Sequence, residues 1–176
     1  MPNKLSYEDS CRTLQRQQVI EHGDIPPLPR QSPRYDDEEP HGLNFFRTQL
    51  TDETFEHLTL PRTFFCRSEI RRVSFRDTNI SESTANWNDF IDVDFTLADV
   101  SRCDFRGCIF QRAQFSGASL RGTDFRHCSF TDCDFTGADV EGAKLTRETV
   151  ATLRLSSEQK HAIDMQRDDG EEPDGG

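Results

Sequence analysis

Six cysteines, five histidines and a surplus of acids are the residues in this 176-residue chain whose types could do chemistry. Cys103 and Cys108, then Cys128 and Cys133, form two pairs with one spacing, which raises the question of a metal site. That spacing is not the one a zinc knuckle uses, and each cysteine belongs to a different five-residue unit. Reduced cysteine is also a small hydrophobe, and alanine and threonine fill the equivalent slots elsewhere. Six free thiols are therefore expected, although stacking of Cys108 on Cys128 leaves room for an oxidised pair. Cys66 is expected to point outward, and Cys11 lies outside the pattern. His22, His41, His57, His127 and His161 have no nucleophile at a meaningful spacing, and no Gly-rich phosphate loop is present. No catalytic residue, cofactor or metal ligand is assigned, and an enzyme is not expected.

The elements that carry these residues follow one frame. From Phe45 to Val150 every fifth residue is large and apolar except Ala85. Two positions earlier sits a second series that is mostly small: Ala98, Cys103, Cys108, Ala113, Ala118, Thr123. Helices repeat apolar residues every three to four positions and strands every two, so a period of five fits neither. It fits a chain that turns a corner after each short extended segment and stacks coil on coil. Sorted by steps of twenty, one column reads Phe55, Phe75, Phe95, Phe115, Phe135 and another Leu60, Ile80, Val100, Leu120, Val140. Such like-on-like columns predict about five coils in a rod roughly 25 Å long.

Ala98-Asp99-Val100, Cys103-Asp104-Phe105 and Ala138-Asp139-Val140 resemble the motif of the pentapeptide-repeat family, small-[Asp/Asn]-[Leu/Phe]-x-x. The resemblance spans residues 43–150 and is closest over 93–145. It implies an all-β solenoid: a right-handed quadrilateral β-helix with four repeats per coil, flanked by short helices.

The flanks divide as follows. Residues 1–42 read as an N-terminal arm, with a helix over 7–22 capped by Ser6 and then a Pro-rich, acidic extended linker. Residues 151–167 read as a C-terminal helical cap or dimerisation segment. Within it, a capping box at Ser156 and Gln159 predicts a helix over about 157–166, with Ala162, Ile163 and Met165 closing the open end. The acidic residues 168–176 are expected to be disordered. No stretch is apolar enough to span a membrane and no secretory signal follows Met1, so the cytoplasm is the expected compartment.

The formal charge of −11 is unevenly placed. The column around Phe105 carries Arg47, Arg67, Arg106, Arg126, Lys144 and Arg147 against Asp104 and Asp124, a net of +4. The columns around Phe90 and Phe95 carry eleven acids, including Asp52, Glu53, Glu56, Asp89, Asp92, Asp94, Asp132 and Asp134, against four arginines, a net of −7. These acidic faces are the candidate partner contacts, with Arg47, Arg67, Arg106, Arg126 and Arg147 as a candidate basic face. Trp87 is expected to swing inward and fill space beside Ala85, with an exposed anchor as the other reading.

A non-enzymatic protein-binding rod is the leading expectation, without direct nucleic-acid or membrane binding. The family resemblance implies a sharper form, because the quinolone-resistance pentapeptide proteins look like duplex DNA and engage bacterial type II topoisomerase. A dedicated antitoxin or immunity protein for a cognate toxin is the second expectation, and a structural or targeting scaffold the third.

Overall fold

The computed structural model describes residues 3–37 and 41–167. Its centre is a right-handed β-helix in which each residue sits one coil below the residue twenty positions earlier. One side of every coil is a three-residue strand. The strands β1 (Gln49–Thr51), β2 (Glu69–Arg71), β3 (Asp89–Ile91), β4 (Ile109–Gln111) and β5 (Ser129–Thr131) make a parallel sheet in that order. The other three sides are held by single parallel bridges, such as Thr54 with Ser74, Thr59 with Asn79 and Phe64 with Thr84. Backbone groups therefore find partners in the coil above and the coil below, as where Phe75 N–H donates to Asp94 O at 2.7 Å and Ser74 N–H to Glu53 O at 3.0 Å.

The interior is the aromatic pile that the twenty-residue columns imply. Phe55, Phe75, Phe95, Phe115 and Phe135 follow one another with ring centroids 4.8, 5.2, 5.1 and 4.9 Å apart. The neighbouring column, Leu60, Ile80, Val100, Leu120 and Val140, is wholly buried. Phe45 stacks on Phe65, and Phe105 on Phe125, but Ala85 interrupts that column. Phe90 compensates: it begins the ring stack with Phe110 and Phe130 in the next column and meets Phe105 edge-on at 5.5 Å.

Corners close by a backbone bond over three residues, as where Ala98 N–H donates to Phe95 O at 3.0 Å. The residue before the small one adopts positive φ, at sixteen non-glycine positions that include Gln18 outside the coils. That is the third position of a type II turn, where a side chain costs energy that glycine avoids.

The N-terminal arm is not a free linker. Its helix α1 (Tyr7–Arg16) is capped by Ser6 and stops six residues short of the expected end; Gln18 then turns at φ 61°. Cys11 and Leu14 are fully buried, and Ser10 Oγ accepts the Thr59 N–H at 2.8 Å, so the helix closes the first coil. The Pro-rich stretch then lies along the rod. Arg62 donates to Pro29 O at 2.9 Å, the Thr84 hydroxyl donates to Pro33 O, and Arg67 Nε donates to Tyr35 Oη at 2.7 Å. Cys66 is buried near this arm and donates to Thr84 O, contrary to its outward slot in the frame.

At the other end the frame stops earlier than Val150. After β6 (Lys144–Thr146) come α2 (Arg147–Thr152), which contains Val150, and α3 (Ser157–Ala162). The chain then returns as β7 (Asp164–Gln166), pairing Leu145 with Met165 in the same step of twenty. The expected helix over 157–166 is thus cut at Ala162 by a strand. Ile163 is buried, whereas Met165 is exposed rather than a plug. Gln159 does more of the closing: its Nε2 donates to Phe135 O and Ala138 O at 2.8 and 3.0 Å while its Oε1 accepts the Ser156 N–H. The acidic residues 168–176 lie outside the described residues.

Candidate functional site

With the interior filled, the outer walls are what the chain offers. The acids named from sequence lie on two adjacent walls and do not converge on one point. Several are engaged. Asp52 accepts from Arg72 Nε and Nη2 at 2.6 and 2.9 Å, and Asp92 from Arg112 Nη2 at 2.8 Å. Sorted by twenty, that corner reads Asp52, Arg72, Asp92, Arg112, Asp132, an alternating ladder visible in the sequence only once corners are compared across coils. A shorter ladder joins Arg62, Glu82 and Arg102 on another corner, at 3.0 and 2.8 Å.

Asp94 bonds the Thr96 N–H at 2.8 Å and lies 3.9 Å from Arg76 Nη1, Asp134 accepts from Ser116 and Thr136, and Glu56 accepts from Ser74 Oγ at 2.7 Å. Glu53, Asp89 and Asp132 form no ion pair among the described residues. Charge-assisted hydrogen bonds hold the carboxyls of Asp52 and Asp92 below the usual range, through Arg72 and Arg112 respectively. His57 and then Lys4 do the same for Asp77, as do Arg102 and Arg62 for Glu82. Glu148 leaves the wall because it lies in α2. Ten acids and four arginines remain on the two walls, a net of −6.

The basic wall is divided as well. Arg106 and Arg126 fold back onto Asp104 and Asp124, two residues earlier on the same wall, at 2.7 Å each. Arg147 is exposed at the start of α2. Arg47 lies over the Phe46 ring at 5.1 Å and Arg67 over the Tyr35 ring at 5.7 Å. Trp87 does not turn inward. It stands at a corner with φ 59° and is 56 % exposed. Its ring covers Gly107, where an added Cβ would lie 2.5 Å from Trp87 Cε3. Asn88 and Phe90 take the inward space instead; Asn88 is fully buried, donates to Ala85 O and accepts the Ser68 N–H.

All six cysteines are free. Burial pushes the Cys66 thiol up to about 11 and raises Cys103 and Cys108 as well, which makes them poor nucleophiles. Among the described residues no group of three or more His, Cys, Asp or Glu is placed to share a metal ion, and no helix is long and apolar enough to cross a membrane.

Comparison with known proteins agrees with this architecture. Residues 68–107, 89–112 and 108–147 match the family model described as pentapeptide repeats, in eight copies. The chain is similar to the crystal structure of Rfr23, a pentapeptide repeat protein from the cyanobacterium Cyanothece 51142. The two share 13 % identity over 57 % of this chain and 82 % of that one, with a TM-score of 0.55, a likeness of fold alone. Weaker likenesses are to QnrB1, a plasmid-mediated fluoroquinolone resistance protein, and to a pentapeptide repeat protein of the Arabidopsis thaliana thylakoid lumen. QnrB1 is 16 % identical over 58 % of this chain and 70 % of its own, with a TM-score of 0.40. The thylakoid protein is 20 % identical over 68 % and 69 %, with a TM-score of 0.35. At those scores neither carries weight for the present chain. No curated protein matches. The five-residue frame, the step of twenty between coils and the matched repeats lead to one assignment: residues 68–147 are repeats of the pentapeptide-repeat family.

Proposed function

We propose that this chain is a non-enzymatic protein-binding rod that docks on a basic surface of a protein partner and modulates or neutralises it. The observation that supports this reading is the one-sidedness of the charge: two adjacent walls with a net of −6 beside a wall with a net of +3, with Arg147 set aside in α2 as Glu148 is. A field of that shape steers a partner with a positive groove and sets its orientation on arrival. The stacked interior, meanwhile, gives the walls a rigid support that needs no ordering on binding.

Type II topoisomerase is one partner class with such a groove. Duplex DNA of the rod's length carries about 15 charges, so mimicry by these walls is partial. The test is DNA supercoiling by gyrase with the rod and with a variant carrying Glu53→Lys, Glu56→Lys and Asp132→Lys. Inhibition or protection by the native rod that the variant loses supports the topoisomerase form. No effect at micromolar rod eliminates that form. Undiminished binding by the charge-reversed variant to a partner captured by the native rod overturns the acidic-wall reading itself.

A further inference from the structure

We propose that the groove at the corner of Arg47, Arg67 and Trp87 binds an acidic peptide segment that carries a large apolar side chain. This deepens the protein-binding reading and rests on it, but it concerns a different surface from the acidic walls.

The first observation is a difference in pairing. Among the described residues, every arginine from Arg62 to Arg126 except Arg67 has a carboxylate within 4.0 Å. Arg47 and Arg67 have none, and they occupy consecutive steps of one corner. Each rests on an aromatic ring instead, and only Arg67 Nε donates a hydrogen bond, to Tyr35 Oη. A guanidinium has five N–H donors in a planar fork suited to a carboxylate, so nearly all of that capacity faces outward.

The second observation is Trp87, the next step on that corner. A bulky residue at positive φ is unfavourable, and the coil below places Gly107 at the equivalent turn. Folding alone therefore favours glycine at this position. The indole packs one face on Gly107 and leaves more than half its surface to solvent. Exposed tryptophan beside arginine is the composition that dominates binding energy at protein interfaces. The three residues line an open groove of about 680 Å³ with Ser68, Glu69 and Asp89 on its far side.

The groove has a polarity. Glu69 is occupied by Arg71, whereas Asp89 forms no ion pair among the described residues and repels a carboxylate near Trp87. The acids of the segment therefore belong at the Arg47 end and its apolar residue at the Trp87 end. Two coil steps separate the ends, roughly 10 Å, which an extended chain covers in about three residues.

Trp87 is the sole tryptophan, so its emission reports on the groove directly. The probe is the capped peptide acetyl-Gly-Glu-Glu-Ser-Leu-Gly-amide, added to the full chain. A saturable blue shift is expected, and Arg47→Glu with Arg67→Glu should weaken binding at least tenfold with the coil retained by circular dichroism. A Glu-to-Gln peptide should bind at least tenfold more weakly. A variant with Glu53→Lys and Glu56→Lys should bind the peptide as the native chain does, so failure of the acidic-wall reading leaves this one standing. No shift with the native chain, or equal binding by the double-arginine variant, overturns the proposal. So does a chain ended at Arg167 that gains tenfold in affinity, since the groove would then belong to the chain's own acidic tail.

Discussion

The corners of the first coils and those of the last coils solve one backbone problem in two ways. From Arg47 to Arg102 every positive-φ corner carries a side chain: arginine, aspartate, histidine, glutamate, tryptophan or leucine. From Gly107 to Gly142 five of the eight corners are glycine. The interior does not change between them, since the Phe55–Phe135 pile runs through both. Glycine is the cheaper answer wherever φ must be positive. On the proposed reading, decorated corners in the first half mark where the outer surface is used, and glycine corners where the chain only has to turn. Trp87 over Gly107 and Leu97 over Gly117 sit at the border, each laying its bulk on the glycine one coil below.

The hardest way to break the comparison is through what the halves share. Phe95→Ala removes a buried ring from the middle of the pile and should cost about 3–5 kcal/mol, with both halves melting together. Two separate transitions by circular dichroism would show that the pile does not couple them.

Gly107→Ala sharpens the contrast. It forces a side chain into positive φ and against the Trp87 ring, at an expected cost of about 1–2 kcal/mol by denaturant unfolding. The same change in a Trp87→Gly background should cost less, because only the backbone strain remains. Trp87→Gly alone should leave stability unchanged or raise it by about 0.5–1 kcal/mol while weakening peptide binding by titration calorimetry. A marked loss of stability would make Trp87 a packing residue and undo the distinction between used and unused corners.

Acid should act on both halves, since Asp124, Asp134 and Asp139 are lowered too, and the decorated half holds more such carboxyls. The carboxyls of Asp52, Asp77, Glu82 and Asp92 lie below their usual values because Arg72, His57, Arg102 with Arg62, and Arg112 bond the charged form. A depressed carboxylate contributes stability above its unfolded pKa, near 4, and loses it as pH falls through the folded value. Melting temperature should hold from pH 7 to about 5 and decline below about 4. The smallest effect should come from Asp92→Asn, which removes one exposed, solvent-screened ion pair.

Much of the coil architecture was legible because a solenoid writes its geometry as a period. Every fifth residue must face inward, and residues twenty apart must stack, so the columns could be read without a structure. What the period does not encode was harder to see. The carbonyls of Pro29 and Pro33 hold the arm to the rod, and nothing in their spacing marks Arg62 or Thr84 as donors. The fate of Trp87 was misread because a small Ala85 suggested a void. Phe90 in the neighbouring column and the Asn88 amide fill that volume, and the corner geometry points Trp87 away. Arginine pairing lay in plain view, yet adding charges wall by wall hid the alternation of Asp52, Arg72, Asp92, Arg112 and Asp132 along one edge.

The step of twenty survives even where helices replace the coil, since Lys144 still meets Asp164 across α2 and α3. Length in this molecule is thus counted in whole revolutions. A duplicated unit of twenty residues would lengthen the rod and leave every edge in line. A duplicated unit of five would keep the apolar axis intact yet swing all downstream side chains through a quarter turn, breaking the ladder of Asp52, Arg72, Asp92, Arg112 and Asp132. Growth of such a chain by descent keeps its edges in line in steps of four repeats, and keeps the alternation of charge only in steps of eight.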